Sequence, residues 1–154
     1  MNNPPEFLIR LAQRTDLDSL VALEALFSYD RVSRRSFRRM IGSESAEIWL
    51  AESTGELGIL GNFILFTRKG SKTARFYSLM VAPAARRKGV GKALFEKAEA
   101  SVLAKGCRFV CGEVRTDNHA SRAMLARFGY TEAEPLPGYY DDGADGIRVR
   151  KCLG

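Results

Sequence analysis

Met80-Val81-Ala82-Pro83-Ala84-Ala85-Arg86-Arg87-Lys88-Gly89-Val90-Gly91-Lys92-Ala93-Leu94-Phe95 reads as a strand running into a basic, glycine-containing turn that opens a long helix. The helix is set by Val90, Leu94, Ala98 and Val102 in one register, from Gly89 to about Lys105, and Gly106 ends it. The first turn of any helix carries free N–H groups and a partial positive charge, and so receives phosphate. Gly89 and Gly91 remove side chains where a ligand has to approach the backbone. Arg86, Arg87, Lys88 and Lys92 add positive charge at the same point, a combination suited to a diphosphate. The spacings of a P-loop and of a dinucleotide-binding turn are both missing.

Upstream, Phe7 to Leu11 reads as a first strand. Thr15 and Asp18 form a capping box opening a helix whose Leu20, Leu23, Leu26 and Phe27 share a face. Ser33 caps a second helix to about Ile41, with Phe37, Met40 and Ile41 inward. Strands follow at Glu47 to Ala51, Leu57 to Phe66 (irregular near Gly58 and Gly61) and Ala74 to Val81. Downstream, Arg108 to Val114 is a fifth strand, Asn118 starts a helix to about Phe128, and Gly129 stops it. Tyr130 to Ala133 and Ile147 to Lys151 are the last two strands, joined by a Gly/Pro/Asp loop. The expected class is α/β (α+β): one domain over 1–154, a mixed sheet of about seven strands and helices on both faces. The long helix is the crossover between parallel strands four and five.

Composition narrows the partners. The 154-residue chain is 45% hydrophobic and 27% charged, ordinary for a folded domain with its own core. It has no apolar run of membrane-spanning length, and Met1 to Pro5 lacks the pattern of a secretory signal. A cytoplasmic protein without a membrane partner is expected. The net charge of +6 suits an anionic partner, whether nucleotide, nucleic acid or acidic protein surface. The basic run Arg31 to Arg39 also fits a solvated helix face. An odd three cysteines, Cys107, Cys111 and Cys152, argue against a disulfide framework and read as small apolar core residues. With His119 the one histidine, no metal site is expected.

Arg86-x-x-Gly89-x-Gly91 resembles the acetyl-CoA signature of the GNAT superfamily, and Leu79 to Pro83 looks like that family's fourth strand and its exit. A second block, Glu113-Val114-Arg115-Thr116-Asp117-Asn118 with Leu125 to Tyr130, is similar to the family's later motif. The resemblance covers nearly the whole chain. It implies acetyl-CoA in a gap where strands four and five splay, its pantetheine arm paired with backbone around Leu79, Met80 and Val81. It implies the pyrophosphate wrapped by Arg86, Arg87, Lys88, Gly89, Val90, Gly91 and Lys92, and Asn118 bonded to the arm.

Within the family, Glu113 to Arg115 with Asn118, and Gly138 to Asp145, resemble the ribosomal-protein-alanine acetyltransferases, which act on protein α-amines. That implies Glu113 as general base, with Tyr139 and Tyr140 forming a peptide site and Glu24 to Phe27 ending the first helix beside the acceptor groove. One departure stands out: Leu125 occupies the place of the family's tyrosine acid. The implied activity is acetyl transfer to a protein or peptide N-terminus. A small amine, a lysine side chain, aminoacyl-tRNA or a non-catalytic acetyl-CoA- or RNA-binding role are the alternatives. Nucleic acid is not the expected partner, and monomer and homodimer are both open.

Overall fold

The computed structural model describes residues 6–27 and 31–154. The reading placed on Met1 to Pro5 lies outside them. Among the described residues, seven strands form one sheet: β1 (Phe7–Leu11), β2 (Ala46–Ser53), β3 (Ile59–Phe66), β4 (Thr73–Val81), β5 (Phe109–Arg115), β6 (Thr131–Leu136) and β7 (Gly146–Cys152). Their spatial order is β1-β2-β3-β4-β5-β7-β6. The β4–β5 pair is parallel and the others are antiparallel. Among the described residues, four α-helices complete the fold: α1 (Leu17–Glu24), α2 (Arg34–Ile41), α3 (Val90–Ala104) and α4 (His119–Arg127). Pro135 is tolerated in β6 because that strand lies at the sheet edge.

Strand alternation divides the core in two. Phe63 and Leu65 of β3 face α3 and join Phe76, Leu94, Phe95, Val110, Val114, Leu125 and Tyr130. Ile64 faces the other way and joins Leu20, Phe37, Met40, Ile48 and Leu50 under α1 and α2. Phe63, Phe76, Phe95 and Tyr130 form a cluster of tilted and edge-on rings.

The opening in the sheet has a local cause. β4 and β5 pair over three residues only, Thr73–Phe109, Ala74–Val110 and Arg75–Cys111. At the next position the register of β4 against β3 shifts, leaving Tyr77 as a bulge. The Phe76 ring lies against β5 at Gly112, where an added Cβ would come within 2.3 Å of it. A bulge that turns β4 away and a ring wedged under β5 part the strands.

The local details correct the sequence reading in places. Asp16, not Asp18, is the acid of the first helix start: its Oδ2 accepts from Gln13 N (2.7 Å), and Arg10 grips both its oxygens (2.8 Å each). A 3₁₀ turn at Arg14–Asp16 therefore precedes α1. Asp18 points outward to Arg34 instead. Helix α1 ends at Glu24, which leaves Leu26 exposed rather than on the inner face. Ser33 caps α2 as expected, accepting from Ser36 N at 3.1 Å. Of the cysteines only Cys107 is buried; Cys111 is half-buried and Cys152 exposed, so the core reading fails for the last.

Candidate active site

The turn between β4 and α3 is built from backbone. Arg87 has φ 65° and Gly89 φ 80°, both left-handed. Glycine takes up the second without strain, whereas Arg87 bears the strain of the first. Among the described residues, no hydrogen bond takes up the backbone N–H of residues 87 to 92; the first helical bond in the turn is Ala93 N to Gly89 O. Successive free N–H groups through such a turn form an anion-binding concavity. Among the described residues, Lys88 and Lys92 reach only exposed Glu6 (3.6 Å) and Glu96 (3.9 Å), pairs too weak to occupy them. The Val90 side chain is buried in the core, so its backbone alone faces outward. Gly91 looks toward Leu79 and the Met124 sulfur, where a Cβ would make ordinary contact.

The edge of β4 continues this row of donors. Ala82 N donates to Leu60 O, toward β3, so by alternation the N–H groups of Val81 and Leu79 point to the β5 side. The β4–β5 ladder stops at Arg75, well short of them. Met80 pairs with Asn62 of β3, and its side chain is buried. Unpaired strand groups need a partner, and an amide-bearing chain laid along β4 supplies one. The donor set thus fits both halves of coenzyme A: amides for the arm, free N–H groups and cations for the pyrophosphate.

Asn118 is the N-cap of α4, its Oδ1 accepting from Ser121 N at 3.1 Å. The cap fixes where α4 begins at the far lip of the gap. Leu125 is buried in the core, so the position that departs from the family pattern is a packing position. His119 lies exposed at the start of α4. Among the described residues, no three His, Cys, Asp or Glu groups gather as a metal site.

On the opposite side of the sheet, Cys111, Glu113 and Arg115 alternate with the core-facing Val110, Gly112 and Val114. The Glu113 side chain is 8% exposed. Its Oε2 accepts from Arg75 Nη2 (3.0 Å) and its Oε1 from Arg148 Nη2 (3.4 Å). Arg75 Nη2 also donates to the Tyr139 hydroxyl at 2.9 Å. Burial disfavours the Arg75 charge, but Glu113 and Tyr139 outweigh it and raise its pKa further above the usual guanidinium range. Burial lifts the Cys111 thiol, reinforced by Glu113.

Tyr139 and Tyr140 pack edge to face at 5.1 Å. Arg115 sits 4.3 Å over the Tyr140 ring and holds Asp142 with bonds of 3.1 and 2.9 Å. Gly138 N donates to Asp145 Oδ1, closing the same loop. The backbone N–H of Ala144 and then Arg115 keep Asp142 below the usual carboxylate range.

Glu24 and Phe27 stand differently. Glu24 is 2% exposed, its Oε2 accepting from Val32 N (3.1 Å) while Oε1 has no hydrogen-bond partner among the described residues. Burial pushes its pKa up. The carboxyl therefore ties the end of α1 to the start of α2 and lies beneath the surface. Phe27 is half-buried just beyond α1. Glu113 and Tyr139 are brought together through Arg75; Glu24 shares no contact with them. Sequence reading missed Arg75, Arg148 and Gly112. Their roles depend on which strands become neighbours, and no local pattern announces that.

Residues 15–130 match the model of the acetyltransferase (GNAT) family. A stretch of 75 residues is 36% identical to an uncharacterized N-acetyltransferase of Methanocaldococcus jannaschii; it spans 48% of this chain and 48% of that relative, about half of each. The fold superposes on the ribosomal-protein-S18-alanine N-acetyltransferase from Escherichia coli with TM-score 0.84 at 23% identity, covering 96% of this chain and 94% of that one. It superposes equally on Ard1 from Thermoplasma volcanium, TM-score 0.84 at 22% identity, covering 96% and 97%. At these identities the two likenesses are likenesses of fold.

Proposed function

The chain belongs to the acetyltransferase (GNAT) family, and from that premise we propose that it moves an acetyl group from acetyl-CoA to the α-amine of a protein or peptide N-terminus. The observation that carries this reading is the junction of two features: a β4 edge left unpaired beyond Arg75, and the Glu113 carboxylate standing where the strands part. The pyrophosphate rests on the N–H groups of residues 87 to 92. The arm runs back along Val81 and Leu79, which brings the thioester toward the vertex marked by Arg75 and Cys111.

The acceptor nitrogen attacks the thioester carbonyl carbon. A C–N bond forms, the C–S bond breaks, and the electron pair leaves on sulfur. The amine must be neutral to attack, and an α-amine with an ordinary pKa of about 8 needs less help than a lysine at about 10.4. Glu113 takes the amine's proton, directly or through one water. Leu125 donates nothing, so the thiolate departs unassisted, which its ordinary pKa of about 8.5 permits.

The test is a panel of peptides, polyamines and lysine derivatives with acetyl-CoA, the product position read by mass spectrometry. Peptides acetylated at the α-nitrogen are expected. Turnover restricted to polyamines or lysine ε-amines would reject the acceptor but keep the transfer.

A further inference from the structure

The face of β4, β5 and β7 that carries Glu113 is rich in guanidinium groups. Register places Arg75 and Arg150 on either side of Cys111, in β4 and β7. Their Cα atoms are thus two strand spacings apart, about 10 Å. Arg148 flanks Glu113 in the same way. Three guanidinium groups here meet two carboxylates, Glu113 and Glu134, and Arg148 engages both of them. Arg75 uses only its Nη2, so its Nη1 and Nε donors remain free among the described residues. Arg150 stacks 4.0 Å over the Phe109 ring and has no acceptor among the described residues. That stacking fixes the plane of its guanidinium and leaves its N–H fork open.

The Arg75 side chain is 51% exposed. Beside it, across the Arg75–Phe66 pair, a groove continues between Phe66, Tyr77, Met40 and Arg39, which adds another cation. The pyrophosphate turn follows the other end of β4, so these arginines are not part of it.

We propose that Arg75, with Arg150, is a specificity determinant that binds a carboxylate on the acceptor, so that the preferred acceptors are amines carrying an anionic carboxylate close to the reacting nitrogen. The proposal rests on the acetyl-transfer reading above for the position of the reacting amine. Arg75 and Glu113 share a hydrogen bond, so an amine at Glu113 has its next few atoms beside Arg75. A carboxylate there takes one charge-assisted bond from Arg75, through Nη1 or Nε, which lie on different edges of the guanidinium, and Arg150 adds to the positive field. Two sources supply this chemistry: an acidic first side chain of a peptide, or the α-carboxylate of a free amino acid.

The experiment compares kcat/KM for a peptide beginning with aspartate against one beginning with asparagine, and for free alanine against alaninamide. The first pair reports a side-chain carboxylate and the second an α-carboxylate. At least one pair is expected to favour the acid by roughly tenfold to a hundredfold, the range of a hydrogen bond to a charged group. Arg75→Gln and Arg150→Gln are expected to shrink that ratio, mainly through KM, while Arg75→Lys keeps part of it. Unchanged acetyl-CoA affinity by calorimetry certifies that each variant is folded. A wild-type ratio near one in both pairs, or a ratio that survives in both glutamine variants, would overturn the proposal. Absence of turnover with every amine would instead defeat the acetyl-transfer reading. The anion site would then be decided by titrating aspartate and asparagine into the coenzyme-A-loaded protein, where equal binding would overturn it.

Discussion

The two ends of the β4–β5 gap are made of different material. At the end proposed for the coenzyme the chain offers backbone: N–H groups of residues 87 to 92 and the edge of β4, with Arg87 and Gly89 at positive φ. At the end proposed for the acceptor it offers side chains from four separated segments: Arg75, Glu113, Tyr139 and Arg148. A backbone site depends on conformation, and conformation leaves a local mark in sequence. A side-chain site depends on register between distant strands, which no local pattern records: Glu113 and Tyr139 were reached by resemblance, Arg75 and Arg148 not at all.

That contrast can be broken hardest at Gly89. Gly89→Glu forces a side chain into the left-handed region and sets a negative charge among the free N–H groups. Coenzyme A binding by calorimetry is expected to be lost, and unchanged affinity would mean that the turn does not hold the pyrophosphate. The acceptor end should respond in the opposite sense. Glu113→Gln is expected to lower kcat by about a hundredfold, the lower range for a lost general base, with coenzyme affinity nearly unchanged. Equal loss of both would make Glu113 a structural partner of Arg75 and Arg148.

Between the two ends stands the wedge. Gly112→Ala drives a Cβ into the Phe76 ring, and overpacking of this kind costs about 1–3 kcal/mol. A lower midpoint of denaturation is expected, and a neutral effect would mean the ring is free to move aside. The smallest effect belongs far from both ends, at the Arg10–Asp16 pair. The Arg10 side chain, with the Gln13 N–H and against the opposing effect of burial, holds Asp16 below the ordinary carboxylate range. A depressed folded value stabilises the fold above the unfolded pKa of about 3.9 and is lost as pH falls through the folded value. Asp16→Asn is thus expected to cost about 1 kcal/mol at neutral pH. The difference should vanish in acid, and a gap independent of pH would assign it to packing.

Much of the fold was legible in the chain. The helix register of α3, the Ser33 cap and the glycine stops at Gly106 and Gly129 are local signals, and they gave the element order. The glycine-containing turn that opens α3 was legible for the same reason. Asp18 was misread because competing acids two residues apart look alike until Arg10 chooses between them. Glu24 was placed at an acceptor groove by resemblance, yet its carboxyl bonds Val32 N in the interior, a consequence of how α1 meets α2. Arg75 passed unnoticed because nothing next to it in sequence explains it; Cys111 and Glu113 lie more than thirty residues on.

Hydrogen exchange with and without coenzyme A tests the assignment most directly, amide by amide. Added coenzyme should slow exchange at Leu79, Val81 and residues 87 to 92 together, while the amides of β1, β2 and α2 keep their rates. Protection confined to another part of the chain, or none at saturating coenzyme, would contradict the site.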